Sequence, residues 1–151
     1  GRPAVEAYAR ALGISVHDFS PTVFSKNPVM LKVGKEYYVR SIQMINKDGS
    51  LTFFCAIDNG LVLTIAKREN FLDTAERLFN QLSTKLGQIE CSLLFECILR
   101  RLEVDDLDPL KRKRIMNLYE SNNATGFHTY GEQFGGLHIN QTLTGVAFGK
   151  K

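Results

Sequence analysis

The stretch ATGFHTYGEQFGGLHINQTLTG, residues 124–145, gathers most of the polar chemistry of the chain. Two of the three histidines fall within it, together with a glutamate, a tyrosine, an asparagine and several glycines. Strand alternation through GFHTYGEQ sends His128, Tyr130 and Glu132 to one face. Through LHINQTLTG it aligns His138, Asn140, Thr142 and Thr144. Such a cluster could bind a small ligand. Glu132 would receive an ammonium or guanidinium, and Tyr130 and Asn140 would orient the rest of the molecule. The plainer reading is a hairpin in which Glu132 bonds backbone amides at the turn, Asn140 and Thr142 satisfy edge groups, and the glycines permit the bend.

Hairpin register decides between the two. A four-residue loop at 133–136 pairs Tyr130 with Ile139 and splits the polar rows. One further loop residue, or a bulge, pairs Tyr130 with Asn140 and unites them. The number of alternating polar side chains exceeds what a turn needs, so we expect the uniting register.

Other chemistries find less support. Cys97, His128 and Glu132 could act as nucleophile, base and orienter. Cys97, however, alternates with Leu93, Phe95 and Leu99, which predicts a buried, inert thiol. No nucleophile elbow or phosphate loop accompanies it, so no catalytic residue is assigned. Cys55, Cys91 and Cys97 are odd in number and lack CxxC or CxC spacing, which argues against disulfides and a zinc site. All three are expected to be buried and reduced in a cytoplasmic setting. Glu96 interrupts an apolar strand. It either faces the wetter side of a sheet beside a cation or lines a pocket. The KRKR run at 111–114 is either a solvated helix face or a docking surface for an acidic partner.

Bulk properties fit an ordinary globular protein. The chain has 151 residues, 44% hydrophobic and 23% charged, with a formal net charge of +3. The charge is too mild and too scattered to suggest nucleic acid. Apolar runs reach about seven residues, well short of the roughly 20 that span a bilayer. No signal-peptide pattern opens the chain. It begins on a helix cap without an initiator Met, which suggests a segment of a longer protein.

The elements that must position these residues follow from periodicity and breakers. A helix is expected from Pro3 to Gly13. Residues 14–36 look loop-like around Pro21 and Pro28, with a short strand at 29–33. Strands at 37–46, 51–57 and 61–66 form a meander, the last two joined by the DNG hairpin at 58–60. Phe71, Ala75, Leu78, Phe79, Leu82 and Leu86 form the stripe of a second helix capped by Asn70. Residues 91–102 read as a strand, a helix starts at the DP of 108–109, and two strands flank QFGG. Phe71, Leu78, Phe79, Leu82, Phe53, Cys55, Leu93 and Phe95 are expected in one core. The fold class is α+β. We expect a mainly antiparallel sheet of about five to six strands with two to three flanking helices, as in PAS, Cache or profilin-like sensor architecture.

The segment GFHTYGEQFGGLHINQTLTGVAFG resembles the terminal signature of the FIST C-terminal domain. GRPAVEAYARALG, IDNGLVLTIA and LLFECILRRLE add matches in the order that the family shows. The resemblance covers essentially the whole chain, 1–151, as one domain. It implies a non-catalytic, cytoplasmic sensory domain that binds a small ligand, with amino acids suggested, downstream of an N-terminal FIST domain. It also implies signalling output proteins as partners, with no role for nucleic acid or membrane. The ligand residues would be His128, Tyr130, Glu132, His138, Asn140 and Thr142. No cofactor is expected. Some members bind haem and sense nitric oxide, but the absence of CxxCH excludes covalent attachment here. The rival reading is a structural half-domain that docks on the N-terminal module.

Overall fold

Helices begin where a side chain can accept the amide hydrogens left free at the first turn. The structure is a computed structural model and describes residues 1–66 and 70–150. Helix α1 (Ala4–Leu12) follows Pro3 and stops at Gly13, whose φ of 68° is left-handed. Helix α3 (Phe71–Leu86) is capped by Asn70, which accepts from the Leu72 amide at 3.1 Å. Helix α5 (Pro109–Ser121) is capped by Asp108, which accepts from the Lys111 amide at 2.9 Å.

Two helices lie where the sequence predicted none. Residues 14–36 are not simply loop: a 3-10 turn at Val16–Asp18 and helix α2 (Pro21–Lys26) occupy them. Pro21 is the first residue of α2 and not a breaker, because Ser20 caps it from the position before. The strand read over 91–102 is β6 (Ile89–Cys97), and the chain then turns into helix α4 (Ile98–Asp105). Ion pairs Glu96–Arg100 and Arg101–Asp105, each four residues apart, fit a helical rise and not a strand.

The class is α+β, and among the described residues the strands divide into four small sheets. Strand β1 (Val29–Val33) lies between β2 (Glu36–Arg40) and β5 (Leu63–Ile65), antiparallel to both. Strands β3 (Ile42–Ile45) and β4 (Leu51–Phe53) pair separately. The meander is therefore broken: β5 crosses back to β1 instead of pairing with β4 across DNG. Strand β6 lies between β10 (Leu143–Gly149), antiparallel, and β7 (Ala124–Thr129), parallel. The hairpin of β8 (Glu132–Phe134) and β9 (Leu137–Ile139) stands at one end of this sheet.

Apolar burial forms two clusters and not the single core expected. Tyr8, Phe24, Val29 and Ile42 anchor one, with Phe53 packed against it. Phe71, Leu72, Val104 and Ile115 anchor the other. Phe71 and Phe79 are buried as predicted. Leu82, Phe95 and Cys55 are half-buried, whereas Leu78 and Leu93 are exposed. The reason lies in the parity of β6. Helices α3 and α5 cover the face carrying Ser92 and Glu96, so Cys91 and Leu93 point the other way. Cys91 is exposed, a correction to the expectation of three buried thiols; Cys97 is 1% exposed.

Phe79→Ala should therefore cost about 3–5 kcal/mol in denaturant unfolding, against under about 1 kcal/mol for Leu78→Ala. Native thiol labelling should modify Cys91 rapidly and Cys97 slowly, since burial pushes the Cys97 thiol up and removes it from solvent. Equal rates at the two positions would refute these placements of the two thiols.

Candidate functional site

The turn between β8 and β9 is tighter than either register considered. Glu132 pairs with Ile139, Gln133 with His138 and Phe134 with Leu137, leaving a two-residue loop. Gly135 and Gly136 have φ of 57° and 79°, the doubly left-handed geometry of a type I′ hairpin. The expected pairing of Tyr130 with Asn140 is thus not formed, and Tyr130 lies outside the hairpin, 74% exposed. Gly-Gly between extended runs was the sequence signal for this register.

The six residues of the predicted cluster separate accordingly. Glu132 is buried, and the Thr129 hydroxyl donates to its Oε1. The Thr142 hydroxyl, at 2.7 Å, and the Thr142 amide, at 3.3 Å, donate to Oε2. Asn140 is fully buried, and its Nδ2 donates to the Tyr130 carbonyl at 3.2 Å. His138 is exposed, with Nε2 packed so closely on Gly131 that a Cβ there would lie 1.8 Å away. The structure thus joins Glu132, Thr142, Asn140 and the Tyr130 backbone into a tie that closes one end of the β10-β6-β7 sheet. His138 lies on the other side of the hairpin.

His128 belongs to a different constellation. The parallel register sets it beside Glu96, and its Nδ1 lies 3.8 Å from Glu96 Oε2. Glu96 is 7% exposed. Its Oε1 accepts from Arg100 Nε at 3.3 Å and from the Tyr119 hydroxyl at 3.0 Å. Burial, reinforced by the Glu96 carboxylate, pushes the Tyr119 phenol well above its ordinary range, so it remains a donor. Arg100 also lies over the Phe71 ring at 4.8 Å. Glu96, Tyr119 and His128 line a pocket of about 220 Å³ whose other walls include Leu94, Val104, Ile115 and Met116. Glu96 lines a pocket and pairs with a cation, but on the helix-covered face and not on the wetter side of the sheet. Tyr119 and Met116 gave no local signal in the sequence, because α5 brings them in from outside the strand.

The triad of Cys97, His128 and Glu132 does not assemble. His128 faces Glu96, Glu132 is held by two threonines, and Cys97 is buried with its thiol pushed up. Haem does not fit the residues present either. His128 is directed at a carboxylate, His138 lies exposed against Gly131, and the pocket is below the roughly 300–1,000 Å³ usual for even drug-sized ligands. No group of three or more potential metal ligands occurs among the described residues, and none of their helices is long and apolar enough to cross a membrane.

The tie at Glu132 makes a stability prediction. Glu132→Ala removes the acceptor of two buried hydroxyls and an amide, and should lower unfolding free energy by about 1–3 kcal/mol. A loss below about 0.5 kcal/mol in chemical denaturation would show that the tie carries nothing.

Comparison with known proteins agrees with the resemblance read from the sequence. Neither the curated proteins nor the solved structures include a match to this chain. The family model described as FIST C domain matches residues 4–135, most of the chain and all of the elements that wall the pocket except the start of β10. The chain belongs to the FIST C domain family, a family of sensory domains in signal transduction.

Proposed function

We propose that this is a non-catalytic sensory domain that takes a small ligand into the pocket between the β6-β7 face and helices α4 and α5. The carrying observation is the pocket itself, whose lining includes the buried Glu96 carboxylate, held through Oε1 by Arg100 and Tyr119 and with Oε2 3.8 Å from His128 Nδ1. Amino acids and related metabolites are the ligand class that the family suggests. The setting is a cytoplasmic signalling protein whose partners are an N-terminal FIST domain and output proteins. Glu132, the residue first expected to hold the ligand, has both oxygens accepting from Thr129 and Thr142 and serves here as part of the framework.

A second reading concerns the opposite face of the same sheet. Leu93, Phe127, Val146 and Phe148 are exposed there, and Phe95 meets Phe127 edge-on at 5.2 Å. An apolar sheet face of this kind favours docking of a further domain, such as an N-terminal FIST module. In a chain that carries that module, amides of β7 and β10 should exchange more slowly than in the 151-residue chain. Equal exchange would remove this reading.

A thermal-shift screen against amino acids and small metabolites tests the sensory function. At about a hundredfold excess over Kd, a ligand should raise Tm by roughly 5–10 °C. Ala124→Leu, which fills the pocket without touching Glu96, should abolish the shift. A shift that persists unchanged in Ala124→Leu would place the ligand elsewhere.

A further inference from the structure

We infer that two copies of this chain pair through the outer edge of β10, joining their β10-β6-β7 sheets into one. The observation is an accounting of backbone groups. The Cys97 amide donates to the Thr142 carbonyl at 3.1 Å, and the register runs on from there with Leu143 opposite Glu96. Antiparallel alternation then turns the amides and carbonyls of Thr144 and Val146 toward β6, and those of Leu143, Gly145 and Ala147 away from it. The other side of β6 agrees with this parity, since the amide of Ser92, which stands opposite Ala147, donates to the Asn123 carbonyl at 3.1 Å. Among the described residues no strand lies beyond β10, and no backbone group pairs with its outward row.

Exposed edges of this kind are usually blunted by a lysine, a proline or a bulge. Strand β10 reads LTGVAFG, without charge or proline, and its register shifts only at the far end, between Phe148 and Gly149. Beside the edge runs a groove of about 360 Å³, walled by Leu78 and Leu82 of α3 and by Phe134 of β8. No charged residue lines it, so the like net charges of two copies do not meet there. The occupant that suits both the outward backbone row and these walls is an extended strand, uncharged and apolar on both faces. Strand β10 is itself such a strand, so each copy supplies what the other lacks. A two-fold axis at Gly145 sets Leu143 of one copy against Ala147 of the other, and each outward pair exchanges two hydrogen bonds. Leu78 and Leu82 of the two α3 helices then close over the facing glycines, and Phe148 of each copy lies toward Phe134 of the other. Backbone pairing of a seven-residue strand falls short of the roughly 1,200 Å² of a stable interface. Leu78, Phe134, Val146 and Phe148, all exposed in the single chain, add apolar area from both sides.

Sedimentation of the 151-residue chain from about 1 µM to about 1 mM should show a monomer–dimer equilibrium with a Kd of about 10–100 µM. Hydrogen exchange read residue by residue identifies the surface. In dilute solution the Gly145 and Ala147 amides should exchange quickly and those of Thr144 and Val146 slowly. In the dimer the first two should slow at least about tenfold. Ala147→Pro removes one outward donor and should weaken association at least about tenfold. Leu78→Lys, at an exposed helix position, should do the same, and it keeps the test decisive if the proline disturbs the strand. A chain that stays monomeric at the highest concentration would overturn the proposal. So would a dimer in which the Gly145 and Ala147 amides still exchange quickly, or one that survives both substitutions, since either places the contact elsewhere. Slowing of the outward amides only on addition of the peptide LTGVAFG to a monomeric chain would also overturn it and assign the edge to a foreign strand.

Discussion

Glu96 is a carboxylate buried on the central strand of a sheet, and burying such a charge is costly unless it is paired and hydrogen-bonded. Each of its partners comes from a different element. Arg100 reaches it from the first turn of α4, Tyr119 from α5, and His128 from β7. The helix that follows β6 without a loop is what sets Arg100 four residues on from Glu96. The parallel register of β6 and β7 then follows the same constraint, since it sets His128 beside the carboxylate. The ion pairs Lys26–Asp106 and Lys111–Asp108 are exposed and contribute far less.

Glu96, Glu103 and Glu132 are all buried, and the contrast between Glu96 and Glu132 shows how differently two of them are held. At Glu132 both oxygens receive donors from Thr129 and Thr142, so the charge is fully used within the framework. At Glu96, Arg100 and Tyr119 donate to Oε1, Oε2 lies 3.8 Å from His128 Nδ1, and the residue lines a pocket. Hydrogen-bond accounting separates two glutamates that look alike in sequence. One closes the end of a sheet, and the other lines the pocket between β7 and the helices.

The β10-β6-β7 sheet is covered by helices on one face and leaves Leu93, Phe127, Val146 and Phe148 exposed on the other. Successive residues of β6 therefore serve opposite surfaces, Leu94 and Glu96 the pocket, Leu93 and Phe95 the open face. For a sensory domain this is a short physical route. A change in the packing around Glu96 acts on the same strand that presents the apolar face, with no intervening element to absorb it.

Local chemistry alone determined much of this protein. Caps at Asn70 and Asp108 and the stop at Gly13 were legible, because a helix end is decided by residues within one turn of it, whereas the α3 stripe was only partly right, with Leu78 exposed and Leu72 buried. The α+β class and the family were legible too, carried by periodicity and by residues 124–145. What the linear chain could not decide was which face of β6 is covered, since Cys91, Leu93 and Phe95 alternate as plausibly inward as outward until helices choose a side. The same holds for the site. Residues 128–142 cluster in sequence, yet the Gly135-Gly136 turn sends Glu132 into a tie and Tyr130 into solvent. His128 meets its partner 32 positions earlier, on β6, through a parallel pairing that needs a crossover through α4 and α5. Tertiary structure made that choice because the groups that surround Glu96 come from α4, α5 and β7 at once, and no local stretch contains all three.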